Sequence, residues 1–165
     1  KVAPGNLGLT DTLLALQWIQ EEISLFGGDP TNVTLFGQSA GSAVVTSHYL
    51  SPLSTGLFAR AIAQSGSVLS DWAVISLAEG TRRSKLLAQN LGCNITADDT
   101  TLLTCLQAAD IRNVVGNQSI TLPAEEVIAG GLPFVPVLDS YLTADLPFFN
   151  DTLDALKISA MARGK

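Results

Sequence analysis

Apolar residues recur at helical spacing near the start of the chain. Leu9, Leu13, Leu16 and Ile23, with Leu14 and Trp18 widening the apolar face, predict a helix over residues 8–25. Thr10 or Asp11 can serve near its start, and Phe26-Gly27-Gly28-Asp29-Pro30 ends it with Gly and Pro. The run Val33-Thr34-Leu35-Phe36 then reads as a strand, Ala40 to Leu50 as a helix stopped by Ser51-Pro52, and Ala59 to Ala63 as a second, buried strand. Strand, helix and strand at this spacing form a βαβ unit, which implies parallel pairing and a right-handed crossover. Helical patterns return over 78–91, with Arg82, Arg83 and Lys85 on the wet side, and over 100–109. From Pro123 onward Pro and Gly predict loops, until Leu153 to Lys165 gives a short helical pattern with a basic tail. There is no internal repeat and no low-complexity tract, so the pattern predicts an α/β chain with one core.

The pentapeptide Gly37-Gln38-Ser39-Ala40-Gly41 falls between the first strand and the second helix. G-x-S-x-G is a weak signal alone, but at a strand-to-helix junction it is the pattern of a nucleophile elbow. The sharp turn holds its serine in strained backbone geometry, and bulky side chains two residues to either side would clash, which predicts a need for Gly37 and Gly41. The turn exposes Ser39 Oγ above the sheet. The Ala40 N–H, at the helix N-terminus, is placed to stabilise an oxyanion.

Composition narrows the picture. A net charge of −6 argues against nucleic acid and anionic membranes as partners. No apolar run reaches the roughly 18 residues of a spanning helix. Cys93 and Cys105 read either as one local disulfide or as two buried free thiols; a closed loop of that size would contribute about 3 kcal/mol. The sequons Asn32-Val33-Thr34, Asn94-Ile95-Thr96, Asn117-Gln118-Ser119 and Asn150-Asp151-Thr152 exceed the roughly one expected by chance from seven Asn. That excess argues for the secretory pathway, where a disulfide persists. Asn94, Asn117 and Asn150 lie in predicted polar loops and are the better glycan acceptors, whereas Asn32 sits in the tight turn before the elbow strand, where its role is structural.

These residues resemble the type B carboxylesterase and cholinesterase family. The family pattern P-G-N-x-G-L-x-D…A-L-x-W is matched by Pro4-Gly5-Asn6-Leu7-Gly8-Leu9-Thr10-Asp11…Ala15-Leu16-Gln17-Trp18. F-G-G-D-P-x-x-V-T is matched by Phe26 to Thr34, and S-P-x-S-x-G-L-F-x-R-A-I by Ser51 to Ser54 with Gly56 to Ile62. Q-S-G-S is matched by Gln64-Ser65-Gly66-Ser67, and P-V-x-D is resembled by Val135 to Asp139. The resemblance implies part of an α/β-hydrolase fold, a mostly parallel sheet with flanking helices that is incomplete here, with residues 1–165 an internal piece of one longer esterase domain. By the same resemblance Ser39 is the acyl-forming nucleophile and Ala40 supplies one oxyanion N–H. Ser65 is a buried serine hydrogen-bonded behind the triad, Trp72 lines the acyl pocket, and Cys93 and Cys105 form the family's small disulfide loop. Gln38, where Glu is commoner, is similar to some arthropod esterases, including those acting on juvenile hormone; Glu21 and Glu22 are surface variation.

The family's triad runs Ser, acid, His. The one histidine, His48, lies nine residues after Ser39 on the same predicted helix, about 13 Å along its axis. A Ser–His hydrogen bond spans about 3 Å, so His48 is expected to pack under the helix rather than act as base. Asp139 and Asp145 are poor triad candidates, Asp139 resembling a structural aspartate, and Asp29 reads as a turn and salt-bridge residue. The resemblance places the acid and the base downstream of Lys165 and a glycine-rich oxyanion loop upstream of Lys1. It implies a secreted serine esterase acting on a small-molecule ester, with no metal and no organic cofactor. The alternative is a non-catalytic cholinesterase-like adhesion or receptor ectodomain; a carrier domain like the esterase-like end of thyroglobulin is weaker. The retained Ser39 and both elbow glycines favour the enzyme.

Overall fold

The computed structural model describes residues 5–128, 131–139 and 147–163. They divide into two compact units, one of Gly5–Val74 with the residues from Leu138 on, the other of Ile75–Val137.

The first unit opens with α1 (Leu7–Glu22). Its entry is backbone-driven: Asn6 takes a left-handed φ of 49° and makes no side-chain cap, so neither Thr10 nor Asp11 starts the helix. Leu9, Leu13 and Leu16 are buried as the spacing predicts, but Leu14 (63%) and Trp18 (48%) are exposed, so the buried stripe is narrower than expected. Trp18 instead packs its ring 5.8 Å from that of Phe26. A 3₁₀ turn, Ile23–Phe26, replaces the last predicted helical turn, and Gly27 ends it at φ 80°, a conformation that suits glycine.

Strand β1 (Thr34–Gln38) leads into α2 (Ala40–Leu50), and β2 (Arg60–Gln64) returns beside β1. The strands pair in parallel, Thr34 with Arg60 through Gln38 with Gln64, as the βαβ spacing predicts. The expectation that β2 is buried is not met: it is exposed along its length, and Phe36 (75%) and Ile62 (52%), register partners, both face outward. Parallel strands are apolar because they are normally covered on both faces, and among the described residues this outer face is uncovered.

The core of this unit gathers Leu9 and Leu13 from α1, Leu50 from α2, Val68, Phe148, Phe149, and Leu156 and Ala160 from α7 (Leu153–Ala162). Phe149 is wholly buried, which removes enough apolar surface to stabilise by about 2–3 kcal/mol. Asp139 sets this corner: its buried carboxylate accepts the N–H groups of Phe148 at 2.9 Å and Phe149 at 2.7 Å. Ser51 Oγ donates to the Phe148 carbonyl at 2.8 Å.

The second unit is helical: α3 (Leu77–Asn90), α4 (Asp99–Ala108), α5 (Ile111–Asn117) and α6 (Ala124–Ile128). Ser76, Asp98 and Asp110 cap α3, α4 and α5 by accepting first-turn N–H groups. Helices α5 and α6 lie where no helix was predicted. Arg83, expected on the wet side of α3, is 6% exposed. Its guanidinium donates to Glu79 at 2.6 Å and to the carbonyls of Leu132 and Pro133, each at 3.0 Å, which compensates the buried charge. Arg82, then Arg83, hold the Glu79 carboxyl down to about 2 by hydrogen bonding.

Cys93 and Cys105 are joined by a disulfide. Replacing Cys105 by serine is expected to destabilise this unit by about 3 kcal/mol, read as a lower urea midpoint. Mapping of unreduced peptides is expected to recover the linked pair; two alkylated thiols would refute the bridge.

Candidate active site

Ser39 stands between β1 and α2, at φ 53° and ψ −118°. A positive φ on a non-glycine residue stores about 1–3 kcal/mol of strain, and such strain clusters at functional sites. Two hydrogen bonds hold the backbone there. Ser39 N–H donates to the Gln64 carbonyl at 2.9 Å, and the Ser39 carbonyl accepts from Ala43 N–H at 3.1 Å as the first bond of α2. The side chain makes no cap to the helix and is exposed. Ala40, also exposed, is the first residue of α2, where N–H groups have no intrahelical partner.

The glycines divide unequally. A Cβ on Gly37 would lie 2.4 Å from both the carbonyl carbon and oxygen of Gly41. A Cβ on Gly41 would meet nothing within 4 Å among the described residues outside its own helical turn, so a methyl group is accommodated there. The crowding is one-sided because the tight turn aims residue 37, not residue 41, at backbone.

The exit of β2 completes the surroundings. A Cβ on Gly66 would lie 2.5 Å from the Ser39 carbonyl oxygen and 3.3 Å from Cη2 of the half-buried Trp72. Gly66 thus joins the nucleophile candidate to the expected pocket tryptophan. Ser65, expected to be buried, is exposed and at φ 55°. It is register-equivalent to Ser39, one residue past the Gln38–Gln64 pair, so both serines follow their strands at positive φ. The buried serine of this region is Ser42, 0% exposed, whose hydroxyl donates to the Gly66 carbonyl at 2.6 Å. The available signal for it was a pair of hydroxyl residues, Ser42 and Thr46, four apart and so on one face of the helix.

His48 is 2% exposed, with Nε2 2.8 Å from Thr12 Oγ1 and Nδ1 2.8 Å from Ser54 Oγ. Thr12 Oγ1 also lies within hydrogen-bond distance of the α1 carbonyls of Leu9 (2.9 Å) and Gly8 (3.1 Å). Both ring nitrogens are thus within hydrogen-bond distance of hydroxyl groups that can donate or accept. The ring packs edge-on against Phe148, centroids 5.3 Å apart. His48 is a tie between α1, α2 and the turn at Ser54, as its helical offset from Ser39 predicts. Asp29 caps its turn, accepting from Thr31 N–H at 2.8 Å and Thr31 Oγ1 at 2.7 Å, bonds that hold its carboxyl below the usual range. No salt bridge to Asp29 forms among the described residues. Asp145 lies outside the described residues.

The sequons also separate. Asn94 is exposed in a tight turn, its Oδ1 accepting from Thr96 N–H at 3.0 Å and Thr96 Oγ1 at 2.7 Å. Asn150 is exposed two residues before the α7 cap Thr152. Asn117 is not in a loop: it ends α5, is half-buried, and its amide donates to the Asn113 carbonyl at 2.8 Å. Asn32 accepts from the Arg60 guanidinium, a tie from the turn before β1 to the start of β2. Among the described residues no group of three His, Cys, Asp or Glu side chains is disposed to hold a metal, and no helix is long and apolar enough to cross a membrane.

The carboxylesterase family model matches residues 1–161. The chain belongs to the carboxylesterase family. It is 45% identical over 145 residues to acetylcholinesterase of Gallus gallus, a match covering 88% of this chain and 18% of that protein. The chain therefore spans less than a fifth of that relative's length. In this family setting the small parallel pair β1–β2 with its flanking helices is a partial α/β fold.

Proposed function

We propose that the polypeptide carrying this chain is a serine esterase that hydrolyses small-molecule carboxylic esters through an acyl-enzyme at Ser39. The observation that supports it best is the strained, exposed Ser39 at the junction of a parallel strand and a helix, in a chain of the carboxylesterase family. Ser39 Oγ attacks the ester carbonyl, its proton passes to a general base, and the carbonyl oxygen gains negative charge. The Ala40 N–H, with donors from outside this chain, stabilises that charge. Collapse breaks the bond to the alcohol, which leaves with the proton, and water then releases the acid and regenerates Ser39. Trp72, held beside Gly66, forms a wall for the acyl group.

His48 cannot supply the base, since both ring nitrogens are engaged in the packed interior. Base and acid are therefore assigned to polypeptide outside residues 1–165. The exposed sequons and the disulfide fit a secreted glycoprotein with glycans on Asn94 and Asn150; Asn117, at a helix end, is the less favourable acceptor.

The isolated 165-residue chain is expected to show no turnover of a p-nitrophenyl ester, and the full-length polypeptide to hydrolyse it and to be labelled by a fluorophosphonate at Ser39. Ser39-dependent turnover by the isolated chain would overturn the assignment of base and acid. A full-length protein that neither turns over nor labels would favour the non-catalytic adhesion or receptor reading.

A further inference from the structure

The segment that leaves β2 lies outside the strand ladder, yet two of its backbone groups are bonded by side chains of α2. The Gly66 carbonyl accepts from Ser42 Oγ at 2.6 Å, and Val68 N–H donates to Thr46 Oγ1 at 2.8 Å. Residues four apart lie on one helix face, one turn from each other. Each hydroxyl has a fixed polarity. Ser42 can only donate to a carbonyl. Thr46 sends its hydrogen to the Ser42 carbonyl at 2.9 Å, with the Ala43 carbonyl at 3.1 Å, and so accepts from Val68. Together they offer a donor and then an acceptor to residues 66 and 68, as a neighbouring strand would. The site is dry at Ser42 (0% exposed) and at Val68 (2%). The clamped stretch is the one that meets the elbow, with Gly66 against the Ser39 carbonyl and the Trp72 ring.

We propose that Ser42 and Thr46 are positioning residues for the Ser39 site: their hydroxyls clamp Gly66–Val68 to the helix that Ser39 begins. This rests on the reading of Ser39 as nucleophile and reaches past it, to what holds Ser39 and Trp72 in mutual register. Ser39 and α2 form one side of the site, and the β2 exit with Trp72 forms the other. Ser39 N–H to Gln64 ties them at the elbow, and the two hydroxyls, one turn apart, tie them further along the helix. Without the clamp the exit segment is free to shift against Ser39, and small misplacements in an active site cost rate more than binding.

The test uses the full-length polypeptide with turnover normalised to sites titrated by a fluorophosphonate. Ser42→Ala and Thr46→Val are each expected to lower kcat about tenfold with KM changed less than twofold. Thr46→Ser keeps the hydroxyl and is expected to restore most of the rate. The double variant is expected to fall short of the product of the two losses, because both act on one segment. Hydrogen exchange is expected to show the Val68 amide protected in the parent and released in Thr46→Val, with α7 amides unchanged. Unchanged kcat per titrated site in both single variants, or Thr46→Ser falling as far as Thr46→Val, overturns the proposal. If the parent protein neither turns over nor labels at Ser39, the esterase reading fails separately. Exchange then decides the clamp alone: release of Val68 in Thr46→Val supports it, and an amide unprotected in the parent overturns it.

Discussion

Replacing Ser39 by alanine is expected to lower ester turnover by the full-length polypeptide by at least about 10⁴-fold and to abolish fluorophosphonate labelling. The loss is large because the covalent step has no other nucleophile at the end of β1. The fold is expected to tolerate the change, since the Ser39 side chain makes no cap bond and is exposed. Ser39→Gly separates strain from chemistry. The backbone at φ 53° suits glycine, so this variant is expected to lose turnover equally while gaining about 1 kcal/mol of stability. A Ser39→Ala protein retaining a tenth or more of the parent rate would remove Ser39 from the mechanism. A Ser39→Gly protein less stable than Ser39→Ala would mean that the backbone there is not strained.

Gly37→Ala carries the second large effect. Its new Cβ would sit 2.4 Å from the Gly41 carbonyl carbon and oxygen and 2.9 Å from Ser42 N, all backbone, with no flexible side chain to yield. The first turn of α2 must move away from β1. Overpacking of this kind costs about 1–3 kcal/mol or more, and a displaced Ser39 is expected to lose about 10²-fold in kcat/KM. Gly41→Ala is the internal control. Its Cβ meets open space inside a helix, so stability is expected to hold or rise by about 0.5–1 kcal/mol. Thermal unfolding of the two variants side by side decides the matter: equal destabilisation would contradict one-sided crowding at the elbow.

What was legible in the sequence was what local chemistry decides. The helical spacing of Leu9, Leu13 and Leu16, the apolar run into Ser39 and the second run from Ala59 to Ala63 identify α1, β1 and β2 within a few residues. Missed features fall where a weak local signal is completed by a distant partner. Helix α5 is seven residues long, started by the Asp110 cap, and α6 is shorter still; neither has a full amphipathic period to announce it. Arg83 looked like any exposed basic residue in a helix, and only carbonyls 49 and 50 residues away make its burial affordable in free energy. Leu14, Trp18, Phe36 and Ile62 were apolar in the expected rhythm, yet the rhythm does not say whether a covering element lies among these residues.

By itself, the sequence determined that Ser39 sits in a strand-to-helix elbow and that His48 is too far along the helix to serve it. Both follow from spacing along one continuous piece of backbone, where rise per residue and steric limits leave little freedom. The tertiary structure alone decided that Gly37 rather than Gly41 must be bare, that Ser65 is exposed while Ser42 is buried, and that Gly66 meets both Ser39 and Trp72. The placing of the β2 exit depends on which hydroxyl meets which backbone group across 22 to 24 residues of chain: Ser42 donates to the Gly66 carbonyl and Thr46 accepts from the Val68 N–H. Such pairings are chosen by packing of the β2 exit against α2, and no local pattern of residues encodes them.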